Sequence, residues 1–302
     1  AANLPCSKRL KAILPLWLPG YIRTYGPISQ DLAGALLRVS PSTIDRILRP
    51  VRAAHTQHGR ATTKPGTLLR RHIPVKTNQW DESRPGFLEA DTVAHCGSST
   101  EGVYAHTIDC VDIATGWTEQ RAVWGKNYQD VIDQIKDIER SLPFPLLGFD
   151  ADNGSEFLNY HLLRYLTVGR KRPIQFTRSR AYHKDDNAHV EQKNWTHVRQ
   201  WLGYDRLDNP KTVQLMNQLY KNDWRLFQNF FCPSVKPISN KRIASNTVKR
   251  YDTPLTPYQR VLASAQINDR TKEHLKSIYQ TLNPFDLRKA MEEDLKEIFK
   301  TL

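Results

Sequence analysis

The segment GFDADNGSEFLN (148–159) places two aspartates, Asp150 and Asp152, two apart at the end of an apolar run and follows the second with Asn-Gly. Carboxylates at a strand end can hold a cation or simply form a solvated turn. Asp, Asn and Gly are all turn formers, and Ser155 and Glu156 are residue types that cap a following helix, so a plain turn is one reading of this stretch. Two more acids stand at positions of interest: Asp91 within GFLEADTVAH, and Glu191 within NAHVEQKNWTHVRQWLGY. Sixty residues separate Asp91 from Asp152 and 38 separate Asp152 from Glu191, so only tertiary structure can bring the three together.

The elements that must position these acids are legible in periodicity and turn residues. GFLEADTVAH reads as a strand, and VYAHTIDCVDIATGWTEQRAV as two more joined by a hairpin at Asp112 to Gly116. In NYQDVIDQIKDIERSL the residues Val131, Ile132, Ile135 and Ile138 recur at helical spacing. PFPLLGFD is a short apolar strand, EFLNYHLLRYL a helix and RPIQFTRS a strand. The segment NAHVEQKNWTHVRQWLGY is a helix with Val190, Trp195 or Asn194, Val198 and Leu202 on its stripe. Three consecutive strands followed by helix, strand, helix, strand, helix predict an α/β fold with helices packed on a mixed sheet. Asp91 then lies near the middle of the first strand, Asp152 just past the end of the fourth, and Glu191 in the first turns of the last helix.

EADTVAH, the hairpin IDCVDIATGW, DADNGSEF and RSRAYHKDDNAHVEQKNW together resemble the integrase catalytic core of the DDE superfamily, which covers retroviral integrases and many bacterial insertion-sequence transposases. The resemblance spans roughly residues 84–203. It implies a ribonuclease-H-like mixed five-stranded sheet with flanking helices, in which Asp91, Asp152 and Glu191 converge on two Mg²⁺ ions, with Mn²⁺ as a substitute. Phosphodiester cleavage needs in-line attack by an activated water or 3′-hydroxyl and stabilisation of the leaving 3′-oxygen. Two metal ions about 3.5–4 Å apart serve both oxygens. Mg²⁺ favours a few carboxylates together with water and phosphate oxygens, which three acids from separate elements provide. Without metal, such acids repel and raise one another's pKa.

Several neighbours compete for roles. Asp150 shares a strand face with Asp152 and is an alternate ligand, while Asp109, Asp185 and Asp186 fall near the same site in chain order. Asp112 is expected to cap its hairpin and Glu156 to support a helix N-terminus. The resemblance makes His183, Lys184, Asn187 and Lys193 DNA contacts, where a basic residue either holds a scissile phosphate or offsets the acids. His95 and Cys96 have no partner that suggests nucleophilic catalysis and are expected in the core.

Charge adds a second line of argument. The chain carries a net +13, and residues 1–80 hold 13 Lys and Arg against only Asp31 and Asp45, a surplus of 11. This asymmetry predicts an N-terminal unit attracted to a polyanion, with DNA, a ribosome or a membrane surface as alternatives. PISQDLAGALLRVSPSTIDRILRPVRAA reads as two short helices around a tight turn, with Ser40 as N-cap and Pro41 at the first helical position. The preceding SKRLKAILPLWLPGYI is expected to be a helix interrupted at Pro15 or Pro19. In a helix-turn-helix the second helix enters the major groove, which places Ser42, Thr43, Arg46, Arg49 and Arg52 at DNA. A small bundle with a solvated basic face is the alternative. His55, His58 and His72 lack paired cysteines, which argues against a zinc finger.

The domain plan is therefore a helix-turn-helix domain over 1–54, then a basic linker over 55–80 whose Arg60, Lys64, Arg70, Arg71 and Lys76 follow a DNA backbone. A catalytic core over 81–230 ends in the helix KTVQLMNQLYKNDWRLFQNF. Residues 231–302 supply a basic extended segment that includes TPYQRVLAS, as in bacterial transposases of this type, and a helical tail.

At 302 residues and 39% apolar composition the chain can bury a sizeable core. Cys6, Cys96, Cys110 and Cys232 form no C-x-x-C pair, so a reduced cytoplasmic setting is expected, with association to the bacterial nucleoid. No apolar run of about 18 residues and no signal pattern is present, so no membrane partner is expected. The missing initiator Met leaves room for a native N-terminal extension. Neither a His-His-Cys-Cys module nor a barrel-like C-terminal domain is read, which favours a transposase over a retroviral integrase. The expected activity is recognition of terminal inverted repeats, cleavage at element ends and joining of 3′-hydroxyls to target double-stranded DNA. Holding two ends implies a homodimer or larger assembly. A nuclease without joining and a non-catalytic transposase-derived regulator are the alternatives; three intact acids argue against the second.

Overall fold

Strand β1 (Phe87–Ala94) is the centre of a five-stranded sheet of order β3-β2-β1-β4-β5. β2 (Ala105–Asp112) and β3 (Thr118–Trp124) run antiparallel to their neighbours, whereas β4 (Gly148–Ala151) and β5 (Gln175–Arg178) continue the sheet in parallel with β1. This is the ribonuclease-H-like arrangement. The computed structural model describes residues 2, 5–53, 83–152, 154, 156–178, 190, 193–243 and 246–302. The linker expected over 55–80 lies outside the described residues. Asp112 closes the β2–β3 hairpin as expected: its carboxylate accepts from the Thr115 amide and hydroxyl, and also from the Gly86 amide at 2.7 Å. Gly86 has φ +118, and a Cβ there would collide with the Pro145 carbonyl, so glycine is required where the chain enters β1.

The sheet buries both faces. On one, Leu88, Ala90, Ile108, Cys110 and Val123 meet Val131, Ile132, Ile135 and Ile138 of α4 (Tyr128–Ser141) and Leu162 and Leu166 of α5 (Tyr160–Thr167). Each fully buried Val, Leu or Ile among these contributes about 1.5–3 kcal/mol relative to exposure. On the other face, Val93, Ala105, Trp117 and Ala122 pack with Val198 and Leu202 of α6 and with Met216, Leu219, Trp224 and Phe227 of α7. α6 comprises a π-turn, Asn194–Arg199, followed by Gln200–Leu202; α7 runs through Pro210–Leu219, a second π-turn Tyr220–Trp224, and Arg225–Phe231.

The N- and C-terminal helices complete that second core. α1 (Ser7–Tyr25) is continuous through Pro15 and Pro19, contrary to the interruption expected at one of them. Each internal proline costs about 3 kcal/mol. Against that, Ile13 and Trp17 are buried, Trp17 meets Phe227, Phe231 and Phe285 edge-on, and its indole N–H donates to the Phe231 carbonyl at 3.2 Å. Burying an aromatic of about 200 Å² at about 25 cal/mol/Å² is worth about 5 kcal/mol, and burying Ile13 adds about 1.5–3 kcal/mol, which together match the cost of the two prolines. α2 (Gln30–Arg38) and α3 (Pro41–Ala53) follow, separated by Val39 and Ser40, and the Ser40 hydroxyl caps α3 by accepting from the Thr43 amide at 3.1 Å.

After α7, β6 (Pro237–Ile243) and β7 (Asn246–Tyr251) form a hairpin, followed by α8 (Pro257–Ala263), α9 (Asp269–Thr281) and α10 (Pro284–Phe299). TPYQRVLAS is therefore helical rather than extended: Thr256 and Gln259 form a reciprocal capping box with Pro257 in the first turn. The helical tail packs inward, with Met291, Leu295 and Ile298 in the same core as Trp17. Among the described residues no helix is long and apolar enough to cross a membrane.

Candidate active site

β1 and β4 are adjacent and parallel, with Glu89 opposite Asp150 and Ala90 opposite Ala151. Alternation then puts Glu89 and Asp91 on one face of the sheet and brings Asp152, one residue past β4, level with Asp91. Asp91 is half-buried: its Oδ1 accepts from the Thr92 amide at 2.7 Å and its Oδ2 from Asn194 Nδ2 of α6 at 2.6 Å. Asp152 Oδ1 accepts from the Gly154 amide at 2.9 Å. Burial, then the charges of Asp91 and Glu156, push the Asp152 carboxyl up to about 7. Gly154 allows this crowding, since a Cβ at that position would sit 2.8 Å from Asp152 Oδ1 and 2.7 Å from Glu156 Cδ.

Glu156 does not cap α5; that role belongs to Asn159, whose side chain accepts from the Leu162 amide. Instead Glu156 is buried beside the aspartates and accepts from the Thr92 hydroxyl and from Lys126 Nζ, each at 2.7 Å. Burial acts to raise its pKa, but the charge and hydrogen bond of Lys126 hold it below the ordinary value. Glu156 Oε2 is buried without a partner among the described residues. Hard oxygen donors crowded into a site that disfavours their joint ionisation are what a divalent cation relieves, so Asp91 and Asp152 fit such an ion. Glu191 lies outside the described residues, and among those described no cluster of three metal-ligating side chains occurs. Its neighbours are placed, however: the Val190 amide donates to Glu89 Oε2 at 3.3 Å, and Asn194 reaches Asp91.

No family model matches the chain. It is 39% identical over 263 residues to the uncharacterized protein y4rM of Sinorhizobium fredii (strain NBRC 101917 / NGR234), covering 86% of this chain and 74% of that protein. The chain belongs to the y4rM family. Among solved structures, the catalytic core domain of BIV integrase is a distant likeness, with a TM-score of 0.36 and 15% identity, covering 64% of this chain and 98% of that one.

In this y4rM-family chain the remaining acids differ in setting. Asp150 is fully buried and accepts from the Thr177 hydroxyl at 2.5 Å. Asp109, directly opposite Asp91 in the β1–β2 ladder, is a neighbour that strand register alone would have placed. It is fully buried, accepts from Gln120 Nε2 at 3.0 Å, and burial pushes it up to about 8 despite the Lys193 charge and the Gln120 hydrogen bond. His95 is a core residue, as expected, with Nε2 2.8 Å from the Thr107 hydroxyl, and burial lowers its pKa to about 3. Cys96 is half-buried in an isolated bridge to Arg206.

The residues expected at DNA divide into four groups. Arg46 and Arg49 project from α3 into solvent, and Ser42 and Thr43 stand at its capped start with their hydroxyls 2.9 Å from Ser40 Oγ. Arg52 is instead tied within the chain, to Asp45 at 2.5 Å and to the Pro5 carbonyl at 2.6 Å. Lys193 is buried rather than surface-facing, with Nζ 3.2 Å from His197 Nε2, and burial lowers its pKa to about 8. Helical spacing accounts for this: Val190 and His197, three residues before and four after Lys193, share its face and are buried with it. Arg60, Lys64, Arg70, Arg71, Lys76, His183, Lys184 and Asn187 lie outside the described residues.

Proposed function

We propose that the chain is a DDE-type polynucleotidyl transferase, a DNA transposase acting on the ends of its own element. The observation that carries this reading is the placing of Asp152, one residue past β4, level with Asp91 on the adjacent parallel strand β1, where the Asp152 carboxyl is pushed up to about 7. Glu191 is assigned as the third acid. The anchoring of Val190 to Glu89 and of Asn194 to Asp91 supports that assignment, because these residues flank it on the same segment. Bound Mg²⁺ would supply Lewis-acid stabilisation of the attacking and leaving oxygens.

The chain's own residues prepare the site. Asn194 and the Thr92 amide orient the Asp91 carboxylate, the Gly154 amide orients that of Asp152, and Lys126 keeps Glu156 ionised beside them. In the first reaction, water attacks phosphorus at the element end, the bond from phosphorus to the 3′-oxygen breaks, and that oxygen takes a proton. In the second, the freed 3′-hydroxyl loses its proton and attacks a target phosphate, whose own 3′-oxygen leaves. Recognition of the terminal repeats is assigned to α3 with Arg46 and Arg49, and a homodimer or larger assembly holds two ends.

The test is transfer of labelled end DNA into a supercoiled plasmid with Mg²⁺ or Mn²⁺. Joining by the wild type, lost in Asp91→Asn, Asp152→Asn and Glu191→Gln with end binding retained, is the expected result. Nicking without joining would reduce the activity to that of a nuclease, and full joining by Glu191→Gln would remove the third ligand.

A further inference from the structure

A cavity of about 150 Å³ lies where the start of α1, the π-turn of α6 and the end of α7 meet. Its wall includes Arg9, Lys193, His197, Gln228 and Ser234, and no aspartate or glutamate among the described residues. Lys193 is 8% exposed and Gln228 4%. His197 is held well below its ordinary pKa by burial and then by the Lys193 charge, so its ring is neutral. Its Nδ1 stands 2.8 Å from the Thr196 hydroxyl, leaving Nε2 to accept from Lys193 at 3.2 Å. That uses one of three ammonium protons. Among the described residues Lys193 forms no ion pair, and the Arg9 guanidinium donates only to Cys6 Sγ, at 3.4 Å. Asp109, whose charge acts on Lys193, does not line the cavity.

Two cations in the wall of one recess, with no carboxylate among the described residues that line it, leave part of their desolvation cost uncompensated until an anion enters. The volume is well below the about 300–1,000 Å³ of sites for drug-sized ligands, so the occupant is small. We propose that this cavity is an oxyanion site that takes one phosphate group, paired with Lys193 and Arg9 and hydrogen-bonded by polar neighbours such as Gln228. Occupancy joins α1, in the basic N-terminal part, to α6, whose Asn194 holds Asp91. A free phosphate and a phosphodiester of DNA present the same chemistry. The site goes beyond the strand-transfer reading and does not depend on it, because occupancy is measured without DNA or Mg²⁺.

Thermal unfolding of the full chain in sodium phosphate, against sodium chloride of equal ionic strength, tests it. Phosphate should raise the wild-type Tm with concentration, by about 3 °C at ten times Kd. Arg9→Gln should lose most of that rise. As a readout independent of any variant's folding, the ³¹P resonance of inorganic phosphate should broaden on addition of wild-type chain. With a saturating duplex oligonucleotide present, loss of the phosphate response identifies a DNA phosphodiester as the occupant, and its persistence a free phosphate. Equal responses to phosphate and chloride, an undiminished response in Arg9→Gln, or no ³¹P broadening would overturn the proposal.

Discussion

Ionising Asp152 beside Asp91 and Glu156 costs free energy that the metal-free fold must bear. A carboxyl raised from 3.8 to about 7 binds its proton more tightly folded than unfolded. At about 1.4 kcal/mol per unit, the ionised form is disfavoured by on the order of 4 kcal/mol. The sign follows from linkage: this contribution is fully present below the unfolded value and is lost as pH rises through about 7. In metal-free protein, Asp152→Asn should therefore gain on the wild type as pH increases from 4 to 8 and be the more stable at pH 8. Chemical denaturation across that range measures it, and Mg²⁺ should narrow the difference at pH 8 by stabilising only the wild type. A pH-independent difference would mean that Asp152 titrates near its ordinary value.

At the scale of elements, α8 shows how one short motif overrides composition. Thr256 accepts from the Gln259 amide while Gln259 caps the Thr256 amide, so Thr256→Ala should destabilise the chain by about 1 kcal/mol in urea unfolding. Thr256→Ser should restore most of that loss. The T-x-x-Q signature stands plainly in the sequence, but the surrounding Pro, Thr and basic residues read as extended chain. The succession of strands and helices was legible, the strands as short runs between turn residues and α4 because an amphipathic helix writes its burial at a fixed period, as at Val131, Ile132, Ile135 and Ile138. Asp91 and Asp152 were likewise legible, as acids at a mid-strand and a strand-end position. Three features were not. The burial of Lys193 runs against its residue type, because lysine is ordinarily exposed, although Val190 and His197 at helical spacing share its face. The continuity of α1 depends on aromatic contacts to Phe227, Phe231 and Phe285, far away in sequence. Glu156 turns toward Lys126 and Thr92 because Asn159 supplies the cap that it was expected to provide.

Across the whole molecule, the basic N-terminal part and the acid-bearing sheet are mechanically joined. α3 is held to α1 by the Ser7 hydroxyl bond to Asp45 at 2.7 Å, α1 to α7 by Trp17 on the Phe231 carbonyl, and α7 to β3 by Asn229 bridging the Thr118 backbone. Arg23 adds a bond from α1 to the Leu282 carbonyl beside α10. A duplex held by α3 would thus pull on the same packed unit that carries Asp91. That proposal makes different demands on three arginines of one helix. Arg46 and Arg49 are exposed, whereas Arg52 is engaged by Asp45 and the Pro5 carbonyl. Each phosphate contact adds about 0.9 to the slope of log K against log salt for duplex DNA. Arg46→Ala and Arg49→Ala should each lower that slope by about 1 if they meet phosphates. Arg52→Ala should leave it unchanged and reduce thermal stability instead. Equal loss of slope in all three would mean that Arg52 leaves Asp45 when DNA binds, and no loss in any would take α3 out of the interface.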